Sequence, residues 1–178
     1  MSNFFITSIY DYMNENLSKQ IAYHGSNILF HKFDDKKIGS NSDVNSSGNV
    51  YNDIHGFFFT SDFNEAKTTA NNVAKQKSGK PIVYTCELEL KNPYTLKDFR
   101  NDIDEIEFEK IYDKTSGIGW GIFDSNRDFI IKRCFELKKD SILFNSNGIK
   151  FIVVFNNSQI NIINTEEFEI KYSYRDNR

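Results

Sequence analysis

Cysteine and proline are scarce in this chain, with two of each among 178 residues. The cysteines, Cys86 and Cys134, lie far apart and match no metal-ligand spacing. No disulfide framework is therefore expected, and both read as buried thiols of a reducing compartment. An excess of positive charge is lacking as well. The 22 Lys and Arg stand against 25 Asp and Glu, for a net charge of −3 at pH 7. The general basic footprint of a nucleic-acid-binding protein is missing, although a local basic groove is compatible with these counts. No stretch is long and apolar enough to span a membrane, and Met1 to Tyr10 lacks the basic start and apolar run of a secretory signal. The expected location is cytoplasmic. No His-Glu-x-x-His, no Gly-x-Ser-x-Gly and no phosphate-cradling glycine loop occurs. His31 and His55 lack metal-site spacing, so no metal is expected.

What is present is aromatic and apolar bulk: 17 Phe residues and a hydrophobic fraction of 39% can support a core. No internal repeat or interdomain linker is visible, and residues 1–178 read as a single domain. Ser2 to Gln20 carries Ile6, Ile9, Tyr10 and Met13 at near-helical spacing and predicts a leading helix over residues 1–20. Ile21 to Tyr23 reads as a short strand ending at His24-Gly25-Ser26. Gly39 to Asp53 is a long polar loop by composition, of the kind that is usually functional or disordered.

Gly56-Phe57-Phe58-Phe59-Thr60 predicts a compact aromatic strand. Because strand side chains alternate, Phe57 and Phe59 share one face, expected to be core, and Phe58 takes the other. Asp62 with Glu65 three residues on has the form of a capping box, and Phe63, Ala66, Ala70, Val73 and Ala74 recur at helical spacing to about Gln76. Ser78-Gly79-Lys80-Pro81 then stops the helix. Ile82 to Leu90 alternates as a strand, and its Glu87 and Glu89 read as a solvated face rather than an acid–base pair. Helices are predicted over Asp98 to Tyr112, whose Glu105, Glu107 and Glu109 form a wet charge run, and over Arg127 to Lys138. Thr115 to Asn126, with three glycines around Trp120, should be irregular. Ser141–Phe144, Ile149–Phe155 and Gln159–Ile163 read as strands, with a turn at Asn145-Ser146-Asn147-Gly148 and an edge strand at Phe168–Tyr174. This order predicts an α+β fold rather than a regular βαβ repeat.

Three segments carry the candidate chemistry. In Tyr23-His24-Gly25-Ser26, glycine permits close backbone approach to a planar ligand and histidine offers a hydrogen bond to a sugar hydroxyl. In Gly56 to Thr60, an aromatic strand leads into a helix carrying the small residue Ala66. In the tail, Phe151 to Phe155 runs on to Ser158-Gln159-Ile160.

Taken together, these segments resemble the ADP-ribosyltransferase superfamily, above all its small bacterial and phage members in polyvalent proteins, and more distantly the diphtheria-toxin and poly-ADP-ribose polymerase branch. The likeness covers roughly residues 21 to 163. It rests on a His-Gly-Ser after a hydrophobic strand, a Gly-x-Tyr-Phe-Thr-like strand before a helix, and a late strand running into Gln-Ile. The resemblance implies a split β-sandwich of two small antiparallel sheets with flanking helices, and NAD as co-substrate. It implies that His24 bonds ribose hydroxyls, that backbone groups of Gly25 hold the nicotinamide carboxamide with support from Ser26, and that Phe58 stacks on nicotinamide where the family usually has Tyr. Tyr23 and Thr60 fall within the same cofactor-binding motifs.

The departures are specific. Where the family commonly has a Glu that bonds the ribose 2′-hydroxyl, counting back from Gln159 gives Phe151, or Lys150 if one residue is inserted. A second stacking Tyr aligns with Thr69 or Ala70. Gln159 could stand in for the acid as a hydrogen-bonding group without its charge. The expected activity is mono-ADP-ribosylation of a protein or nucleic-acid target, chosen by the loops at 39–53 and 115–126. The alternatives are a catalytically degenerate binding module on the same fold and an NAD glycohydrolase. Small size, an AT-rich coding style and the absence of targeting signals suggest a bacterial or phage-encoded toxin, effector or takeover protein.

Overall fold

A computed structural model describes residues 19–38, 56–102, 123 and 126–170. The expected leading helix, the loop at 39–53 and most of 103–125 lie outside the described residues. Gln20 opens the first strand rather than closing a helix. Seven strands are described: β1 (Gln20–Ser26), β2 (Phe57–Thr60), β3 (Ile82–Leu88), β4 (Pro93–Thr95), β5 (Ser141–Ser146), β6 (Ile149–Val154) and β7 (Ile160–Glu167). Three helices accompany them: α1 (Phe63–Lys77), α2 (Leu96–Asp102) and α3 (Arg127–Glu136). Short 3-10 turns occupy Asp35–Lys37 and Asn157–Gln159.

The fold is α+β, as its sequence pattern indicates, but the strands form one sheet in the order β4-β5-β6-β2-β1-β3-β7. Two separate sheets were expected. The difference rests on a single registered pair between β1 and β2, Tyr23 with Thr60. On either side the pairing is extensive: seven positions between β1 and β3, and four between β2 and β6. The sheet is thus two halves hinged at one residue pair. A second difference is β4, since Lys91-Asn92-Pro93 reads in the sequence only as the stop after the Ile82–Leu90 strand. It pairs parallel to β5 at the edge of the sheet, and Pro93 opens it, a position where a missing N–H costs no ladder bond. The edge strand expected at Phe168–Tyr174 is not formed in its described part; β7 ends at Glu167.

Local signals explain the elements. Asp62 caps α1 by accepting from the Glu65 amide at 2.8 Å. The reciprocal half of the expected capping box is supplied otherwise, since the Asp62 amide donates to Thr60 Oγ1 at 3.2 Å. At the other end Ser78 takes φ 63° and breaks the helix. The β5–β6 hairpin turns on Asn147 and Gly148, at φ 52° and 79°, the left-handed pair that a tight hairpin demands and that Asn-Gly supplies with least strain.

Alternation along the strands sorts the core onto two faces. One carries Tyr94, Ile142, Phe144, Phe151 and Val153, covered by Phe99 of α2 and by Ile130, Ile131 and Cys134 of α3. The same face carries Val83, covered by Ala66 and Ala70 of α1, with Tyr23 and Phe63 at the border of that cluster. The other carries Ala22, Phe57, Phe59, Tyr84, Cys86, Leu88, Ile152 and Val154, covered by Phe33. Phe57 and Phe59 are core and Phe58 points the opposite way, as their alternation predicts. Burial pushes the thiols of Cys86 and Cys134 up to about 12, which leaves both inert at neutral pH. Glu87 and Glu89 make surface ion pairs with Lys19 and Lys91.

Candidate functional site at the sheet junction

Beyond the Tyr23–Thr60 pair, β1 continues through His24, Gly25 and Ser26 while β2 runs back through Phe59, Phe58 and Phe57 without further registered pairing. A side chain bridges the gap instead of the backbone: His24 Nδ1 lies 2.8 Å from the Phe58 carbonyl oxygen. A carbonyl only accepts, so Nδ1 carries the proton and donates. In the neutral ring Nε2 is then an acceptor. The neutral ring's donor is thus occupied by the Phe58 carbonyl, so a sugar hydroxyl would have to donate to Nε2.

His24 stays neutral for a physical reason. It is partly buried in an aromatic nest, with ring centroids 5.1 Å from Phe33, 5.6 Å from Phe59, 6.3 Å from Tyr84 and 6.4 Å from Phe30. Burial lowers its pKa below the ordinary imidazole value, and the bond to the Phe58 carbonyl opposes that only in part. Among the described residues no carboxylate contributes to this shift.

Gly25 is required by packing. A Cβ there would lie 2.2 Å from the Ala66 carbonyl oxygen and 2.7 Å from the Ala70 nitrogen, both backbone atoms of α1. Helix α1 therefore docks directly on β1 at the motif glycine. The same close docking leaves Ala70 fully buried and Thr69 exposed, so no stacking aromatic fits at Ala70. At Ala70, one of the two positions to which the resemblance assigns a second stacking Tyr, the close glycine contact thus accounts for the small residue.

The remaining predicted residues separate into groups. Tyr23 points toward α1 and meets Phe63 edge-on at 5.4 Å. The Ser26 hydroxyl accepts from the Ile28 amide at 3.2 Å and lies 3.3 Å from the Ile28 carbonyl, turning the chain as β1 ends. Phe58 contributes its carbonyl to His24, while its ring packs edge-on against Phe123 at 6.0 Å. Thr60 serves the helix start. Gln159 does not join His24. Its amide donates to the Glu89 carbonyl at 3.1 Å and its own carbonyl accepts from the Glu89 amide at 2.9 Å. In register, Ile160 pairs with Leu88 and Leu88 with Gln20, four residues along β1 from His24. That is about 13 Å of strand. Gln159 is a strand-end tether, and the structure does not bring it together with His24.

Phe151 is buried, paired with Thr60 and stacked on Phe144 at 5.5 Å. Lys150, at the start of β6, falls by alternation on the same sheet face as His24. Its backbone is fixed to Ser61 by two hydrogen bonds of 2.8 and 3.0 Å, and its Nζ reaches the Gln20 amide oxygen at 3.4 Å. Of the two positions to which the resemblance assigns the superfamily's acid, one therefore holds a buried aromatic ring and the other a cation.

Sequence reasoning missed Tyr84. It was only one residue of an alternating strand, yet it pairs with His24 across β1–β3 and is wholly buried. Only the strand register could have singled it out.

A hinged α+β sheet with His-Gly-Ser at its hinge, and a capped helix seated on the glycine, is an ADP-ribosyltransferase-like architecture. More particularly, the family model described as ADP-Ribosyltransferase in polyvalent proteins matches residues 16–170, and the chain belongs to that family. Comparison with the curated proteins gives no match. The family uses NAD as substrate. Among the described residues no group of three or more His, Cys, Asp or Glu is placed to hold a metal ion, and no helix is long and apolar enough to cross a membrane.

Proposed function

We propose that this protein is an NAD-dependent mono-ADP-ribosyltransferase acting on a protein or nucleic-acid target, with the β1–β2 junction as its nucleotide site. The observation that carries this reading is the His24–Phe58 bridge. It fixes one ring nitrogen and leaves the other as an acceptor for a ribose hydroxyl. In the reaction the bond between nicotinamide and ribose C1′ breaks. Its electron pair leaves with nicotinamide, and the cationic sugar is captured by a nucleophile of the target, which gives up its proton to solvent. A neutral imidazole suits such a step, because an imidazolium beside the cationic sugar would raise the barrier.

A second reading has its own support. Neither position to which the resemblance assigns the acid, Phe151 or Lys150, holds a carboxylate, which favours a module that binds the nucleotide without cleaving it. An NAD glycohydrolase, with water as acceptor, uses the same site. Incubation with labelled NAD and a cell extract, alongside His24→Ala, separates them. The proposal expects label on a macromolecule, lost in the variant. Free ADP-ribose without labelled macromolecule means hydrolysis, and NAD binding without nicotinamide release means the binding module. Labelling that survives in His24→Ala overturns the assigned site. A toxin, effector or phage-takeover role in the cytoplasm accords with this family.

A further inference from the structure

The Tyr84 side chain is wholly buried, and its hydroxyl is saturated by one short stretch of chain. It accepts from the Phe30 amide at 2.7 Å and donates to the Ile28 carbonyl at 2.9 Å. Its ring stacks on the Phe30 ring at 4.1 Å with an interplanar angle of 16°. Phe30 in turn meets Phe33 edge-on at 4.9 Å, and Phe33 stands edge-on to His24 at 5.1 Å. The segment after β1 is therefore pinned over the histidine by two hydrogen bonds and one stack, all from a single residue of β3. Ile28 and Leu29, between the pinned groups, point outward, 60% and 52% exposed. Their own burial does little to hold the segment; Ser26 and Asn27 fix the turn before it, through the Ile28 amide at 3.2 Å and the Ser78 carbonyl at 2.7 Å, and the tyrosine supplies the hold on Phe30.

We propose that Tyr84 is the positioning residue of His24: by clamping Ile28–Phe30 it keeps the aromatic wall closed on the imidazole and the ring in its bridging tautomer. This deepens the nucleotide-site reading, but its test does not depend on that reading. Among the described residues, the groups facing His24 are the rings of Phe30, Phe33, Phe59 and Tyr84 and the Phe58 carbonyl, none of them charged at neutral pH. Hydration of the ring is thus the variable that the clamp controls. A loosened clamp admits water, removes part of the cost of charging the ring and raises its titration midpoint toward the ordinary value.

The experiment is NMR titration of the His24 imidazole in the wild type, Tyr84→Phe, Phe30→Leu and Tyr94→Phe, each checked for its fold by circular dichroism. Tyr94 is an equally buried tyrosine whose hydroxyl bonds Asp102, away from His24, so its loss controls for stability alone. Tyr84→Phe is expected to move the His24 midpoint up by about half a pH unit or more. Phe30→Leu, which removes the stack and keeps both hydroxyl bonds, should move it in the same direction by less and decides the matter if Tyr84→Phe does not fold. Tyr94→Phe should leave it in place. A midpoint unmoved in the folded Tyr84 and Phe30 variants, or moved equally by Tyr94→Phe, overturns the proposal. NAD affinity is measured in parallel and should fall about tenfold in Tyr84→Phe, if the clamp is closed in about one molecule in ten. A wild type that binds no NAD defeats the nucleotide-site reading, while the titration still decides the role of Tyr84.

Discussion

Replacing Gly25 by alanine tests the docking of α1 on β1. The added Cβ would sit 2.2 Å from the Ala66 carbonyl oxygen, about 1 Å short of an ordinary van der Waals contact. A flexible side chain could swing away, but the obstacle is helix backbone. Ala66 and Ala70 are 1% and 0% exposed, so a retreat of the helix also opens the small cluster they form with Val83. Overpacking of this kind costs about 1–3 kcal/mol, and the backbone obstacle puts it at the upper end. For a chain of this size about 3 kcal/mol lowers Tm by roughly 6–12 °C. Gly148→Ala is the control. Its Cβ meets nothing within 4 Å, and only the φ of 79° penalises it, by about 1 kcal/mol. Thermal unfolding followed by circular dichroism compares the two. A Gly25→Ala protein that melts no lower than Gly148→Ala would refute the close docking, and with it the reason why no aromatic fits at Ala70.

Three further outcomes follow from the same geometry. His24 titrates below its unfolded-state value of 6.5, so the folded state binds fewer protons than the unfolded chain below that pH. Its contribution is fully present above pH 6.5 and fades as pH falls toward the lower folded value, which chemical denaturation of wild type and His24→Gln across pH 5–8 will show as a convergence on the acid side. Asp102 accepts two bonds from Arg133, at 2.7 and 3.1 Å, and one from Tyr94 at 2.7 Å, and the Arg133 bonds hold its carboxyl below the ordinary 3.8. That stabilisation is present above pH 3.8 and lost as pH falls through the folded value; Asp102→Asn should cost about 1.5–3 kcal/mol at pH 7 in urea unfolding, and a cost near zero would remove the tie between α2 and α3. Lys150→Glu restores an acid at the start of β6 and should raise nicotinamide release at least about tenfold, equivalent to about 1.4 kcal/mol in the barrier; an unchanged or lower rate would show that this position is not the one the superfamily uses.

Much of the fold was readable because its signals are local. The Asp62 cap, the apolar spacing of Phe63 to Ala74 and the stop at Ser78-Gly79 delimit α1 to within a residue or so. Alternation in Phe57-Phe58-Phe59 predicts which rings face the core, and Asn147-Gly148 predicts its hairpin. What was not readable depends on register and on long-range pairing. The parallel β4–β5 pair joins residues nearly fifty apart, and no local pattern announces it. The junction is one sheet or two according to a single bridge at Tyr23–Thr60, which composition cannot count. The site was half legible for the same reason. His24 and Gly25 could be picked out by their position at a strand end, but the partner of His24 is a backbone carbonyl, invisible in a sequence. The separation of Gln159 from His24 was not readable, because nothing local announces that β7 starts across β3 from the far end of β1. Tyr84 matters through a hydroxyl that clamps a segment 54 to 56 residues away.

The central claim is that the β1–β2 junction with its neutral histidine is a site of NAD cleavage. The most direct measurement is the rate of nicotinamide release from NAD by the purified protein and by His24→Ala, both verified as folded. The account predicts measurable release by the wild type that is lost in the variant. Equal release by the two proteins, or NAD bound by the wild type without any release, would contradict it.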